Sequence, residues 1–346
     1  MDNFGRLFTI ADWGDTHGPF MEGSIRGVPA GTAIDMELIR AELARRAPSA
    51  SPTSTQRREP DEVTFLSGIE NGLATGEEIR YRIPNRDVKI ASDSNHILKP
   101  SHASYTYNIK YGARSNEECG RASARQTVCR VVAGAVAKCV LRPYGITFHS
   151  EVVSTGQPAC EGDTVGALVR CTISHVPAGL GEPVYDKFDA RLAAAMLSIN
   201  AAKGFELGEG FAAAHQCGSQ YNDTQNADFS FNSNHDGGVQ AGITNGQDII
   251  FTVAFKPIPT LQIPQQTVTF DGEPATYTGN NRNDRCVAPR VLPVVEAMAA
   301  IVTLDFLLID QQQDTIQQLI QQNLVYEKNH AYPLVPHHMR HIDGSN

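Results

Sequence analysis

Gly27-Val28-Pro29-Ala30-Gly31 returns later in the chain as His175-Val176-Pro177-Ala178-Gly179. Further on, Ser67-Gly68-Ile69-Glu70-Asn71-Gly72 has a counterpart in Ala241-Gly242-Ile243-Thr244-Asn245-Gly246, and Arg130-Val131-Val132-Ala133 in Arg290-Val291-Leu292-Pro293. Each echo alone is weak, but three in the same order are the signature of a duplicated unit. We read two similar halves, about 1–150 and 151–310, making one domain, with a glutamine-rich helical and then irregular tail over 311–346.

Within each half, helix and strand patterns alternate. Glu78 to Ile83 alternates polar and apolar with period two, as do Val169 to Ser174, which predicts half-buried antiparallel strands. Asp248 to Phe255 is more uniformly apolar and predicts a strand covered on both faces. Asp35 is placed to cap a helix carrying Leu38, Ile39 and Leu43. A second helix is predicted from about Ser123 to Pro143, a third from about Asp189 to Lys203, and an apolar one over Val291 to Ile309. Pro293, Glu296 and Asp305 interrupt that last stretch, so it reads as a buried or amphipathic helix rather than a membrane span. The sum is an α+β fold, antiparallel sheets packed on helices.

The chain has 346 residues and a formal net charge of -9, a sign that argues against nucleic acid as a partner. The charge is unevenly spread. Residues 40–142 hold 17 Lys and Arg against 11 Asp and Glu, a local balance of +6, and the remainder carries -15. A basic stretch in an acidic chain suggests a cationic pocket for a small anion, where the plainer reading is a solvated face. Seven cysteines without a C-x-x-C pair indicate reduced, mostly buried thiols rather than a disulfide framework or a metal site. His337, His338 and His341 lack a carboxylate or cysteine partner at ligand spacing, so no metal is expected there either. The N-terminus shows no basic segment followed by an apolar core, and a cytoplasmic protein is expected. No phosphate-binding P-loop, nucleophile-elbow or zincin motif occurs.

Two loops stand out for chemistry. His17 sits between glycines in Gly14-Asp15-Thr16-His17-Gly18, and His102 sits in Lys99-Pro100-Ser101-His102-Ala103. A lone loop histidine is more often structural; two in the basic half point toward proton transfer. Arg121 and Arg125 flank Ser123 at a predicted helix start, where guanidinium and N–H groups could converge on one phosphate. Arg45 and Arg46, with Arg57 and Arg58, could make a second anion site, unless the latter two pair with Glu59, Asp61 and Glu62. Lys256 and Arg282, with Asp284, are the second half's contribution.

These segments together resemble chorismate synthase, over about Phe4 to Leu308. The residues carrying the resemblance include Gly14 to Gly18, Thr55 to Asp61, Ser101 to Ala103, Tyr105 to Tyr107, Gly120 to Thr127, Val176 to Pro183, Ser198 to Ala201, Ser233 to His235, Lys256-Pro257 and Pro293 to Met298. The resemblance implies a β-α-β sandwich, usually a homotetramer. It implies anti 1,4-elimination of phosphate from 5-enolpyruvylshikimate 3-phosphate to give chorismate, with reduced FMN and no net redox change. By position, His17 would protonate the departing phosphate, His102 the flavin, and Asp284 would assist proton removal. Arg121, Ala122, Ser123, Asn200, Ala201, Ala241, Lys256, Pro257, Ile258, Pro259, Thr260 and Arg282 would hold FMN. Arg45, Arg125 and Thr16 are the candidates for the substrate phosphate, and Arg46 would meet NADPH in members that reduce their own flavin.

The sequence departs from the family pattern in places. Asp15 and Thr16 replace Glu and Ser; Ala47, Ser49 and Pro52 stand where the family has arginine, glycine and arginine; Ile258, Pro259 and Thr260 replace Thr, Ser and Ser. With two cations fewer, we expect an enzyme relying on FMN reduced by an external flavin reductase, NADPH being the other source. The same changes leave open a flavin- or phosphate-binding homologue without turnover. Neither a nucleic-acid nor a membrane partner is expected.

Overall fold

A computed structural model describes residues 2–48, 60–86, 95–280 and 284–326, the side chains of 319–326 excepted. Arg57, Arg58, Pro52, Arg282 and the histidines of the tail lie outside the described residues. The described chain forms two compact units, one to Phe306 and a second from Leu307.

The first unit holds two main antiparallel sheets. One runs Asn3–Phe4, Thr9–Gly14, Phe20–Arg26, Ile79–Pro84, Thr64–Ser67. The other runs Thr147–Thr155, Ala167–Ser174, Ile249–Phe255, Ala202–Leu207. Apart from the two-residue edge strand, the two sheets have the same order of strands in space, and each pentapeptide echo follows directly after the second strand of its set.

Backbone hydrogen bonds fix the correspondence more finely. Gly31 N donates to Ala74 O and Gly179 N to Thr244 O, both at 2.8 Å; Ile34 N donates to Gly72 O and Phe188 N to Gly242 O, again both at 2.8 Å. Residues 67–72 therefore correspond to 237–242, four positions before the 241–246 stretch that the sequence echo suggests. Backbone torsions agree: Asn71 and Ala241, at φ +50° and +52°, hold the same left-handed turn position between their short strands. The written echo is misaligned because both turns repeat glycine at four-residue spacing, at Gly68, Gly72 and Gly76 and at Gly238, Gly242 and Gly246.

Other elements differ from the pattern in instructive ways. Ile249–Phe255 buries only alternate residues, so it is covered on one face. The helix predicted from Ser123 begins at Thr127, after two short 3-10 turns. The helix predicted to reach Lys203 is Phe188–Leu197, and the chain turns at Ala201, φ +69°, into the strand Ala202–Leu207. The apolar stretch and the glutamine-rich stretch form one continuous helix, Leu292–Tyr326.

Two helices fill the space between the sheets. Thr127–Leu141 is almost wholly buried and meets the first sheet where Tyr81 Oη donates to Cys129 O at 2.8 Å. The C-terminal helix meets the second where Ser150 Oγ donates to Glu296 Oε1 at 2.8 Å. By length and composition Leu292–Gln318 could cross a membrane. Every residue from Pro293 to Leu304 is buried within the first unit, which makes that part a core helix. All seven cysteines are free and five are buried, as the spacing suggested.

The two core helices touch at Gly134, where an added Cβ would lie 2.3 Å from the Cβ of Ala297. Gly to Ala in a helix ordinarily stabilises by about 1 kcal/mol. Here Gly134→Ala is expected to destabilise by about 1–3 kcal/mol through overpacking, read as a lower urea midpoint at unchanged slope.

Candidate active site

A single cavity of about 500 Å³ gathers residues from loops of both halves. Its first wall is the loop after Thr9–Gly14. The Asp15 carboxylate accepts from the backbone N–H of His17 at 2.7 Å and of Gly18 at 2.9 Å, while Asn85 Nδ2 donates to Asp15 O and Gly18 O. A side chain that bonds its own backbone two and three residues on makes a tight, reproducible turn. Thr16 and His17 are thereby presented to the cavity, Thr16 buried and His17 exposed.

The second wall is the Lys99–Ala103 loop. Ser101 takes φ +54°, Lys256 Nζ donates to its carbonyl at 2.8 Å, and Lys99 N donates to Ser104 Oγ. His102 is held with its Nδ1 buried and unpartnered among the described residues. Burial, then the nearby Lys99 and Lys256 charges, push the imidazole down to about 4, so it is neutral at pH 7. Burial likewise lowers Lys99 and Lys256 from the ordinary ammonium range.

The third wall is Ala122–Arg125 with Thr127, and the fourth is Ile199–Ala201, at the turn the sequence read as helix. Asn200 Nδ2 donates to Ala122 O at 2.9 Å and Arg130 to Ser198, so these walls are pinned together across the two halves. Lys256, Ile258, Pro259 and Thr260 follow, with Lys256 N donating to Ala201 O and Thr164 Oγ1 to Ile258 O. Asp284 and Arg290 form an ion pair on the last wall, and Arg290 Nε donates to Arg46 O at 3.0 Å.

Arg46 and Arg125 line the cavity and share one buried carboxylate, Asp61. Burial pushes Arg46 down to about 10, with Arg290 and Arg125 acting in the same direction and Asp61 against. Burial would raise Asp61, but the two guanidiniums hold it below the usual carboxylate range.

Of the residues singled out from sequence, the cavity brings together Thr16, His17, Arg46, His102, Ala122, Ser123, Arg125, Asn200, Ala201, Lys256, Ile258, Pro259, Thr260 and Asp284. Arg45, Arg121, Ala241 and Pro257 do not line it. Arg45 turns the other way, giving two 2.7 Å bonds to Glu296, which Lys138 and Ser150 also approach. Burial raises Glu296, but those cations prevail and bring it to about 2. Arg121 reaches Asp12 and Gly14 O, bracing the first loop rather than facing a ligand. Ala241 is taken up by its hairpin turn. Arg290 and Asp61 escape the sequence reading, which marks the first only as part of the Arg290-Val291-Leu292-Pro293 echo and the second as a partner for Arg57 and Arg58. Asp61 alternates with no apolar residue and caps nothing, so only its place in the Thr55 to Asp61 block marks it.

The family model for chorismate synthase matches residues 8–161 and 157–308. A chorismate synthase of Christiangramia forsetii is 44% identical, over 89% of this chain and 97% of its own length. One from Bacteroides fragilis is 42% identical, over 90% and 98%. A crystal structure of a chorismate synthase superimposes with a TM-score of 0.68 at 28% identity, covering 89% of this chain and 93% of that one.

A base whose affinity for protons is lower folded than unfolded favours the unfolded state as pH falls. His102 should therefore cost stability progressively between about pH 6.5, its unfolded value, and about 4. His102→Gln should flatten the loss between pH 6.5 and 4.5 in urea titrations, by at most about 1.4 kcal/mol per pH unit; parallel profiles would contradict the assignment.

Proposed function

The chain belongs to the chorismate synthase family, and on that premise we propose that this cavity is where 5-enolpyruvylshikimate 3-phosphate loses phosphate by anti 1,4-elimination to give chorismate. One ring proton and one phosphate leave and a carbon–carbon double bond forms, without net redox change. The observation that carries this reading is the convergence of His17, His102 and Asp284 with Arg46, Arg125 and Lys256 on a single cavity.

Reduced FMN, when bound, supplies an electron-rich partner for the reacting ring. The residues fit a phosphorylated, planar ligand of that kind. The buried Nδ1 of His102 lacks a protein partner among the described residues, Lys256 supplies a cation, and Ala122, Ser123, Asn200 and Ala201 line the cavity where Asn200 Nδ2 meets Ala122 O. Ala122, Ser123, Asn200, Ala201 and Lys256 to Thr260 would hold it. Arg121 would act indirectly, by fixing the loop of His17.

His17 is the proton donor to the departing phosphate: its backbone is fixed by Asp15 while the ring stays accessible. The guanidiniums of Arg46 and Arg125 stabilise charge on the leaving group, in positions set before the ligand arrives. Asp284, oriented by Arg290, accepts a proton. His102 is neutral in the ligand-free protein because of burial and two nearby cations; an anion that offsets Lys99 and Lys256 restores its affinity for a proton.

Arg46 has three of its donors engaged with Asp61, Thr127 and Ala124 O. The cations absent at Ala47 and Pro52 support external reduction of the cofactor over NADPH. The assembly we propose is the family's homotetramer, tested by sedimentation equilibrium.

Anaerobic incubation with the enolpyruvyl substrate and photoreduced FMN should release phosphate and form chorismate in equal amounts. FMN binding without release would instead mark a binding homologue. His17→Ala should lower turnover by roughly 10²- to 10⁴-fold with FMN binding retained; loss of both together would make His17 a holding residue.

A further inference from the structure

Asp61 touches no open part of the cavity, yet two of the cavity's cations depend on it. Its side chain is 0% exposed, against 5% for Arg46 and 3% for Arg125. One carboxylate oxygen accepts from Arg46 Nη1 at 2.7 Å and the other from Arg125 Nη1. The remaining bonds of both arginines set their planes. Arg46 Nε reaches Thr127 Oγ1 and Nη2 reaches Ala124 O; Arg125 Nε reaches Asn85 Oδ1 and Nη2 reaches Pro84 O.

Two guanidiniums bound to the two oxygens of one carboxylate would repel one another without it, and a third, Arg290, approaches the backbone of Arg46. The position also carries conformational strain. Asp61 has φ +51°, a left-handed conformation rare for non-glycine residues, which persists only where surrounding bonds determine it.

Resting on the reading of this cavity as the elimination site, we propose that Asp61 is a positioning residue that presents Arg46 and Arg125 as one rigid pair to the phosphorylated substrate. The substrate never contacts Asp61. The arginine forks are useful to a phosphate only when their planes are fixed beforehand, and Asp61 bonds both of them. Simple charge counting leads elsewhere: deleting a buried negative charge would make the wall more cationic and strengthen anion binding.

Asp61→Asn keeps the shape, tolerates the left-handed backbone and removes the charge. Asp61→Gly suits that backbone without strain and leaves a space of carboxylate size. Steady-state phosphate release from the enolpyruvyl substrate with photoreduced FMN should show KM raised about tenfold or more in both variants, in line with the cost of misplaced binding groups, and kcat lowered by less. Formate added to Asp61→Gly should lower KM back toward the wild-type value and leave wild type unaffected.

An unchanged or lowered KM in folded Asp61→Asn would overturn the proposal, as would formate without effect on Asp61→Gly. Failure of both variants to fold would also overturn it, assigning Asp61 to stability alone. Wild-type protein in the same assay separates the two levels: no release from wild type defeats the reading of the cavity, while normal wild-type release with unaltered variants defeats only the role of Asp61.

Discussion

Buried carboxylates that each hold more than one cation are the constraint on which this structure depends. Removing charges from water is costly, and a buried ion pair is tolerated only when its partners are well placed. Asp61 ties Arg46 to Arg125, and Glu296 ties Arg45 to Lys138. The first helix, Met36–Arg46, ends on these two adjacent arginines, which point to different carboxylates. One therefore serves the cavity and the other the packing of the C-terminal helix. Breaking either cluster would strand charges in the interior, so the end of the first helix, the start of Thr127–Leu141 and the C-terminal helix are held in a fixed relation.

That arrangement changes the meaning of the basic stretch. Of the cations in residues 40–142, Arg45, Arg82, Arg86, Arg114, Arg121, Lys138 and Arg142 face carboxylates elsewhere in the protein. Among the described residues of that stretch, Arg46 and Arg125 alone of the Lys and Arg side chains line the cavity, and Lys256 and Arg290 join them from the second half. Among the described residues the cavity's positive charge is thus local, four cations set against Asp284 at the wall and Asp61 behind it.

Much of this was legible in the sequence and some was not. The period-two strands at 79–84 and 167–174 and the Asp35 cap are local signals, and they fall where the pattern puts them. The two histidine loops were visible because a histidine among small and polar residues is a feature of composition. Ion-pair choice is not: nothing local distinguishes Arg45 from Arg46, or tells Asp61 to reach Arg46 and Arg125, which are 15 and 64 residues away. The helix ends at Thr127 and Leu197 escaped for a related reason. Nothing in Ser123–Gln126 breaks a helix ahead of Val128, and Ile199 extends the apolar pattern past Leu197, but both segments are drawn into turns by the contacts that close the cavity, such as Asn200 to Ala122 O.

Anionic ligands that occupy the cavity shared by the two halves must alter its charge balance. The ring resonances of His102, followed by NMR in a histidine-labelled protein, report on this most directly. In the absence of ligand the ring should remain neutral down to about pH 4. With saturating FMN and substrate its midpoint should move upward, because bound anions offset Lys99 and Lys256 and restore the affinity of the ring for a proton. An unchanged titration in protein that turns over substrate would contradict the claim and place the ligands elsewhere.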